Sequence, residues 1–372
     1  MRLAVILVHY HTPELAAEAV EALRADVAGR GLEVEWLLVD NGSDAAGRAR
    51  LESLPIERID PGENLGYAGG INLGVSRSSS ELILLMNPDV IVLPGCVPAL
   101  LDSLRSGAAV AGPRFYWDRG RRLLQPPSEV RTRREELTGL LAGRSERWAS
   151  RARRRWRRHA RRHWEARAPL PSHALSGSLL ALRRSAWETV GPFDEGFRLY
   201  FEETDWLLRA RRQGLAGRYV PTAEAVHLYG QSASREPRAR QWFEESAHRF
   251  RRRHYGPWFA GLLAGLDRRL PRRGAASPLL PAFPDGLSLP DEPSAYPLWV
   301  EVSPNPAGYP AAAERLLEPP GRTWSLPAEI SERLPLGELI AQVTDGKGRE
   351  AVRLALPGGG AVRGDRGWRG VA

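Results

Sequence analysis

The apolar run Leu82–Met86 leads directly into Asn87-Pro88-Asp89, and this junction constrains the fold more than any other stretch of the chain. Five consecutive apolar residues are typical of a strand that is buried on both faces, as in a parallel sheet. Pro88 cannot continue the hydrogen-bond ladder, so we expect Asp89 just beyond the carboxyl end of the strand. Open α/β sheets bind ligands at that edge. A carboxylate there is placed to hold a metal ion and, through it, a phosphorylated substrate.

Strand and helix patterns alternate over the first hundred residues. Strands are expected at Leu3–Val8, Val34–Val39, Ile56–Ile59 and Leu82–Met86. Helices are expected after Thr12-Pro13-Glu14, over Asn72–Ser76 and over Leu93–Leu104. Helical patterns return at Phe201–Gln213 and at Arg240–His254. The alternation predicts an α/β fold with a doubly wound, mostly parallel, Rossmann-like sheet.

The chain of 372 residues is long enough for two domains. Residues 270–297 are rich in proline, glycine, serine and alanine, which is typical of a linker. Short β-like runs follow at Trp299–Val302, Leu339–Thr344 and Val352–Leu356. We therefore expect a large α/β domain over residues 1–269, a linker over 270–297 and a small β-rich domain of unknown role over 298–372.

The positive charge of the chain is concentrated in one segment. The net charge is +9, yet Arg119 to Arg167 alone holds 17 arginines against five glutamates. Residues 119–168 also carry Trp148, Trp156 and Trp164, and we assign them as a helical part of the large domain. Two interpretations stay open: a helix that lies on an anionic membrane surface, or a solvated basic helix in an arginine-biased proteome. Because arginine replaces lysine almost throughout, the basicity does not indicate a nucleic-acid partner.

The sequence favours a cytoplasmic location, with a peripheral position at the inner face of the plasma membrane left open. Cys96 is the single cysteine, so no disulfide can form within the chain, which fits a reducing compartment. The apolar run at the N-terminus is too short for a signal peptide. No apolar run reaches the roughly 18 residues of a membrane span.

Four polar clusters follow strands or begin helices. They are His9-Tyr10-His11, Asp40–Asp44, Asn64–Asn72 and Asn87-Pro88-Asp89. Each alone is an ordinary turn or a glycine-rich helix start. On one parallel sheet all four would converge on its carboxyl edge, which predicts a ligand site there.

These clusters match an ordered set of motifs in a known family. The set continues through Ser176-Gly177-Ser178, Arg183-Arg184, Gly191–Phe197, Tyr200–Trp206 and His227–Ser232. The chain resembles family 2 glycosyltransferases of the GT-A fold over roughly residues 1 to 260. Within that family it is most similar to rhamnosyltransferase-like members, which build bacterial cell-surface polysaccharides.

The resemblance implies a nucleotide-diphosphate sugar donor and a divalent cation, Mg²⁺ or Mn²⁺. Asp89 occupies the coordinating position of the family's Asp-X-Asp motif, Asn87 replaces its first carboxylate, and His227 matches a further metal ligand. With one carboxylate missing, metal binding should be weak without the donor. Asp40 is expected to hydrogen-bond uracil or thymine, which favours a UDP- or dTDP-linked sugar. The donor-binding residues implied are His9, Tyr10, Asp40, Asn41, Gly66, Gly69, Asn72, Asn87 and Asp89.

The resemblance also implies the residues of the transfer step. Glu203 is the expected general base, with Glu202 and Asp205 beside it, and a single base implies an inverting displacement. Gly177, Ser178 and Trp206 are the expected acceptor contacts. The implied acceptor is a glycan or a polyprenyl-linked glycan, and the implied sugar is rhamnose. A nucleotidyltransferase and a non-catalytic nucleotide-sugar- or glycan-binding protein are the alternatives.

Overall fold

The structure is a computed structural model that describes residues 2–228, 238–271, 287–289, 296–318, 323–333 and 339–356, the last six of these as backbone only. The strands are β1 (Arg2–His9), β2 (Glu33–Asp40), β3 (Glu57–Ile59), β4 (Leu82–Met86), β5 (Val90–Val92), β6 (Val110–Tyr116), β7 (Leu170–Pro171), β8 (Leu179–Arg183), β9 (Gly217–His227), β10 (Leu287–Ser288), β11 (Leu298–Ser303), β12 (Ala312–Leu316), β13 (Thr323–Trp324), β14 (Leu339–Asp345) and β15 (Glu350–Leu356). The helices are α1 (Pro13–Val27), α2 (Ala45–Glu52), α3 (Gly66–Ser76), α4 (Cys96–Arg105), α5 (Arg133–Ala142), α6 (Glu146–Trp164), α7 (Arg184–Val190), α8 (Glu202–Arg212), α9 (Ala239–Tyr255), α10 (Pro257–Arg269) and α11 (Ala328–Arg333).

The chain forms two compact units, and each is built from two stretches of sequence. The first unit comprises Met1–Phe115 and Glu165–Ala260, and the second comprises Tyr116–Trp164 and Gly261–Ala372. This division differs from the domains expected from the sequence, because the arginine-rich segment groups with the C-terminal strands and not with the large α/β domain. The physical reason is that one face of α6 is buried against those strands.

The first unit is built on one mixed sheet with the strand order β3-β2-β1-β4-β8-β6-β9-β5, and β7 pairs with β9. The strands β1, β2, β3 and β4 are mutually parallel, as the alternation of strands and helices predicts. The expected α/β architecture is therefore confirmed. The strand β8 runs antiparallel to β4, and β5 runs antiparallel to β9. This antiparallel half contains β5, β6, β7 and β9, for which the sequence analysis predicted no strands.

The centre of this sheet is buried on both faces, as the unbroken apolar runs predict. Leu3–Leu7 and Ile83–Met86 have no exposed surface. Two glycines of α3 let that helix lie directly on β1. A Cβ at Gly70 would be 2.7 Å from Val8 Cγ1, and one at Gly74 would be 2.5 Å from Ile6 Cγ2. Any larger residue at these two positions would push the helix away from the sheet.

The second unit contains a four-stranded antiparallel sheet with the order β12-β11-β14-β15. One face of α6 packs on it, with the rings of Trp164 and Trp299 stacked at 5.3 Å between centroids. Arg157 Nε donates to both carboxylate oxygens of Glu301, at 2.7 and 2.9 Å. One face of the arginine-rich helix is therefore buried within the second unit, which neither sequence-based interpretation predicted, and the opposite face is exposed. The reason is that the sheet supplies a carboxylate for the buried guanidinium.

The expected linker lies mostly outside the described residues. Within the expected linker, residues 287–288 form the strand β10, which pairs antiparallel with β13. The three strands expected in the C-terminal region are present as β11, β14 and β15. Among the helices that the structure describes, none is long and apolar enough to cross a membrane.

We expect Glu301→Gln to destabilise the second unit by about 3 kcal/mol, because it removes the buried carboxylate that both Arg157 Nε hydrogen bonds reach. The partly exposed Glu350, 3.6 Å from Arg157 Nη2, would be the remaining countercharge. The side chains of Arg157 and Glu301 are only 3% and 0% exposed, so water has little access to solvate the guanidinium. Urea unfolding of the full chain, followed by circular dichroism, measures the loss. Arg349→Ala is the control, since that side chain is 78% exposed in its pair with Asp345. Equal unfolding curves for the two variants would contradict the prediction.

Candidate active site

Strand register in the first unit brings the ends of distant strands to one place. His9, the last residue of β1, pairs with Asp40, the last residue of β2. Beyond the end of β4, the Asn87 N–H donates to the Ser178 carbonyl at 2.9 Å, just before β8 begins. In the pairing of β5 with β9, Val90 lies opposite His227. The polar clusters that the sequence placed after separate strands therefore meet at one edge.

Asp89 and His227 are the pair that could hold a metal ion. Asp89 Oδ1 lies 3.5 Å from His227 Nε2. Their exposed fractions are 4% and 6%. The donor set of one carboxylate oxygen and one imidazole nitrogen fits a divalent ion such as Mn²⁺. Within the described ranges, no three histidine, cysteine, aspartate or glutamate side chains form a metal-binding group. The remaining ligands would have to come from substrate and water.

A second set of acids lies at the start of α8. Glu202 is 4% exposed. Burial and the charge of Glu203 raise the pKa of Glu202 well above its ordinary value. Burial and the charges of Glu202, Glu203 and Asp89 likewise raise the pKa of the Tyr67 hydroxyl. Tyr67 is therefore within electrostatic reach of the two glutamates and of Asp89.

Glu203 is packed against Gly177, in the turn before β8, which was expected to contact the acceptor. A Cβ at Gly177 would be 2.9 Å from Glu203 Cγ, so only glycine fits at this approach. The Tyr67 hydroxyl donates to the Gly177 carbonyl at 2.9 Å, which fixes the position of this turn. The Ser178 hydroxyl is 2.6 Å from the Ser176 hydroxyl. The structure thus brings together the expected base, Glu203, and the expected acceptor residues, Gly177 and Ser178.

The surroundings of Asp205 do not fit the catalytic role that was expected for it. Its carboxylate is fully buried and contacts Arg209 Nε at 2.8 Å, His254 Nε2 at 2.8 Å and Arg253 Nε at 3.1 Å. Burial alone would raise the pKa of Asp205, but the hydrogen bond from His254 and the two arginines lower it. A carboxylate held by three donors is a poor base, and this one joins α8 to α9. We therefore assign Asp205 as an anchor of the acidic turn.

Trp206 also differs from expectation, since it lies in the core and not at the acceptor. It is 1% exposed, and its ring stacks on Trp187 at 6.0 Å between centroids. Its indole N–H donates to the Gly191 carbonyl at 2.9 Å. Burial of a large aromatic ring, with its one polar group satisfied, explains this position without any ligand.

The backbone that leads into the acidic turn is strained. Tyr200 and Phe201 have φ values of 67° and 73°, in the left-handed region that non-glycine residues rarely adopt. Each such residue costs on the order of 1–2 kcal/mol. Phe201 packs against Phe243 and Phe250 at centroid distances of 5.5 and 5.4 Å, which holds the turn in place. Strain of this kind, beside buried acids, is typical of functional sites.

The end of β1 and the end of β2 form a separate polar cluster. His9 Nε2 accepts the Thr12 N–H at 2.8 Å, so its proton is on Nδ1, which faces Asp40 Oδ1 at 3.5 Å. Asp40 also accepts the Ser43 N–H at 2.9 Å and contacts Arg58 Nη1 at 3.3 Å. Burial acts to raise the pKa of Asp40, but the hydrogen bonds from His9 and Ser43 hold it well below its usual range. Asp40 is therefore an ionised carboxylate with only 1% of its surface exposed.

Two asparagines that were expected to contact the donor form hydrogen bonds within the protein instead. Asn41 Nδ2 donates to the Gly66 carbonyl at 2.9 Å, which ties the end of β2 to the start of α3. Asn72 Nδ2 donates to the Phe193 carbonyl at 3.0 Å, and its Oδ1 accepts the Phe193 N–H at 3.0 Å. Gly66 is needed for its positive φ of 73°, and a Cβ there would be 2.7 Å from the Arg198 carbonyl oxygen. Asn41, Asn72 and Gly66 therefore position the backbone around the site.

The other expected donor residues are placed as follows. A Cβ at Gly69 would be 2.9 Å from Leu65 Cβ, so this glycine also serves packing. Tyr10 is partly buried and its ring contacts that of His11 edge-on at 4.4 Å. Asn87 is partly exposed beside Asp89. In the last motif, residues 229–232 lie outside the described residues.

The sequence analysis missed Tyr67, Tyr200 and Arg58. Tyr67 and Tyr200 belong to matched motifs, but the sequence did not indicate that they lie near the acids. Arg58 lies in the short strand β3 and reaches Asp40 only through the pairing of β2 with β3. No local pattern indicates that contact.

The geometry and the comparisons with known proteins agree. The family model for glycosyl transferase family 2 matches residues 4–190, half of the chain. The chain belongs to this family, and its first unit has the GT-A fold that the motifs predicted. It is a glycosyltransferase, and not the nucleotidyltransferase that the sequence analysis kept as an alternative.

The chain is similar to two curated relatives. It is 32% identical to the N-acetylglucosaminyl-diphospho-decaprenol L-rhamnosyltransferase of Mycobacterium tuberculosis over 224 residues, which are 55% of this chain and 69% of that protein. It is 26% identical to the low-salt glycan biosynthesis hexosyltransferase Agl10 of Haloferax volcanii over 230 residues, which are 60% of this chain and 66% of that protein. A rhamnosyltransferase-like member of the family, as the motifs predicted, is therefore confirmed.

Two solved structures show a weaker likeness. One is the mannosyltransferase PcManGT from Pyrobaculum calidifontis in complex with GDP-Man and Mn²⁺, at a TM-score of 0.41 and 16% identity, covering 71% of this chain and 73% of that one. The other is GalNAc-T7 with UDP, GalNAc and Mn²⁺, at a TM-score of 0.45 and 12% identity, covering 72% of this chain and 54% of that one. Likeness at this level adds nothing to the assignment of the site.

We expect Gly177→Ala to reduce glycosyl transfer by about 10- to 100-fold, because the new methyl group would displace Glu203 by several tenths of an ångström. Initial rates at saturating donor measure the effect. The matched control is Gly139→Ala in α5, where an added Cβ would meet nothing within 4 Å. Transfer rates that are equal in the two variants would show that Glu203 tolerates the displacement or takes no part in transfer.

We expect Glu202→Gln to stabilise the first unit at pH 8 but not at pH 5. The folded state raises the pKa of Glu202, so its contribution to stability is present at low pH and is lost as pH rises through the raised pKa. Glutamine has nearly the same size and carries no charge, so the variant does not lose this stability as the pH rises. Thermal unfolding at both pH values should show a midpoint a few degrees above the wild type at pH 8 only. The exposed Glu188→Gln is the control, and a parallel shift at both pH values would contradict the prediction.

Proposed function

We propose that this glycosyltransferase moves a sugar from a nucleotide-diphosphate donor to a hydroxyl group of a glycan, with inversion and with a divalent cation. The observation that carries the proposal is the packing of Glu203 against Gly177, together with the pairing of Asp89 and His227. A base, a close approach for an acceptor and a carboxylate–imidazole pair are the three parts that such a transfer needs.

Glu203 is proposed as the general base. It would take the proton of the acceptor hydroxyl as the bond from that oxygen to the anomeric carbon forms, while the bond to the diphosphate breaks. Gly177 leaves room for the acceptor beside the carboxylate. With one base and no second nucleophile proposed, a single displacement inverts the anomeric centre. Glu202, whose pKa is raised by burial and by Glu203, would keep the pocket from holding two full negative charges.

Asp89 and His227 are proposed to hold the cation, Mg²⁺ or Mn²⁺, with the imidazole favouring Mn²⁺. When bound, the ion would neutralise the charge that develops on the leaving diphosphate. Asn87 can donate a hydrogen bond to ribose or phosphate but adds no charge. We therefore expect the protein to bind the ion weakly until a nucleotide diphosphate is present.

The base of the nucleotide is proposed to bind beside His9 and Asp40. An ionised carboxylate accepts the imide N–H of uracil or thymine, which favours a UDP- or dTDP-linked donor. Because Asp40 is 1% exposed, a base could reach it only if Arg58 moves aside. Rhamnose as the sugar is supported by the 32% identity to the mycobacterial rhamnosyltransferase.

The acceptor is proposed to be a glycan carried on a polyprenyl diphosphate. The support is the activity of that relative, which is named for transfer of rhamnose to N-acetylglucosaminyl-diphospho-decaprenol. A cytoplasmic enzyme would meet such an acceptor at the inner face of the plasma membrane. The products would contribute to polysaccharides of a bacterial cell envelope.

A screen of nucleotide sugars with two variants tests the proposal. We expect binding of a UDP- or dTDP-sugar to require Mn²⁺ or Mg²⁺ and to be lost in Asp89→Asn. We expect Glu203→Gln to bind the same donor normally but to transfer about 10²- to 10⁴-fold more slowly, since it lacks the base. Calorimetry measures binding, and release of the nucleoside diphosphate measures transfer. The proposal is wrong if no pyrimidine nucleotide sugar binds, or if Asp89→Asn retains full metal-dependent activity.

A further inference from the structure

The helix α6 carries two sets of arginines on different faces. The buried set has helical spacing and consists of Arg153, Arg157 and Arg161. The exposed set consists of Arg147, Arg151, Arg154, Arg155, Arg158 and Arg162. The five other than Arg155, which pairs with Glu135, are here called the arginine stripe. The stripe recurs every three or four residues, so it forms one continuous face over about 22 Å.

The sheet of the second unit supplies partners for the buried set. Arg157 is bonded to Glu301 and to Gln342 Oε1, the latter at 3.1 Å. Arg161 Nη1 donates to the Gly346 carbonyl at 3.0 Å, and its Nη2 donates to Thr344 Oγ1 at 2.6 Å. These buried side chains hold the helix on the sheet and are not accessible to an external partner.

In the part of the chain that the structure describes, the arginine stripe has no such partners. Among the described residues, no carboxylate forms an ion pair with any of its five members. Arg154 Nη1 donates to the Ser150 hydroxyl at 2.6 Å, and Arg151 lies over the ring of Trp148 at 5.6 Å. The neighbouring Glu135 pairs with Arg155, so it does not neutralise the stripe. Five charges of one sign on one face attract a polyanionic surface.

An exposed aromatic side chain accompanies this face. Trp148 in α6 is 38% exposed, and the Arg151 guanidinium lies over its ring. Tryptophan prefers the boundary between lipid head groups and acyl chains, and arginine prefers the phosphates above it. A helix with this combination is typical of binding in the plane of a membrane surface. Nucleic acid would satisfy the arginines but not a partly exposed indole.

We propose that the arginine stripe, with Trp148, is a docking surface for a bilayer of anionic phospholipid. Its biological purpose rests on the proposed lipid-linked acceptor, but binding to vesicles requires neither donor nor acceptor. A failure of this proposal would therefore leave the proposed transfer reaction untouched, and the reverse holds as well.

The test uses substitutions on the exposed face, because removing α6 would also uncover the sheet. The variant carries Arg151→Gln, Arg154→Gln and Arg158→Gln. The control carries Arg77→Gln, Arg105→Gln and Arg212→Gln, three exposed arginines of the first unit, and so has the same net charge. Co-sedimentation with vesicles of phosphatidylglycerol and phosphatidylcholine in 0.1 M salt measures binding, and pure phosphatidylcholine vesicles serve as the neutral surface.

We expect the wild type and the control to bind the anionic vesicles and not the neutral ones. Each basic side chain near such a surface contributes about five-fold to partitioning, so the stripe variant should bind about 100-fold more weakly. Equal circular dichroism spectra and unfolding curves would show that α6 stays folded in both triple variants. Equal binding of the variant and the control would overturn the proposal. Absence of vesicle binding, with tight binding of a 20-base-pair DNA duplex, would overturn it in favour of a nucleic-acid surface.

Discussion

The hydrogen-bonded register of β4 between β1 and β8 is the constraint on which the site depends. Because β1 runs parallel to β4, both strands end at the same edge of the sheet. Because β8 runs antiparallel to β4, its first residues lie at that edge as well. One ladder therefore brings Asn87 and Asp89 beside the cluster of His9 on one side and beside Gly177 on the other. A slip of one residue would reverse every side chain of β4 and remove the site.

Gathering acids at that edge has a cost in stability, and the surrounding structure offsets it. Glu202 is buried beside Glu203, so a second negative charge there is unfavourable and the pKa of Glu202 is raised. Two left-handed residues, Tyr200 and Phe201, precede them. The ion pairs of Asp205 hold α8 in place despite the backbone strain and the unfavourable burial of a second acid. Local strain and like charges of this kind persist where function requires them.

The second unit shows how one residue type can serve two purposes in a single helix. Arg157 reaches Glu301 in the interior, where its stem and charge are both satisfied. Arg158, the next residue, lies on the exposed face. Composition does not distinguish these two arginines, because the net charge of the segment counts both equally. Only the helical spacing together with the partner strands separates a structural arginine from one that is available to a partner.

The sequence by itself determined the parallel strands, the order of the motifs and the placement of Asp89 and Glu203 at strand and helix ends. Apolar runs, proline and glycine are local signals, and they act over a few residues. The tertiary structure alone decided that Asp205 is held by ion pairs and that Glu203 lies against Gly177. Asp205 is bound by His254, 49 residues away, and Arg157 is buried by Glu301, 144 residues away. Such partners are chosen by long-range packing, which no local pattern records.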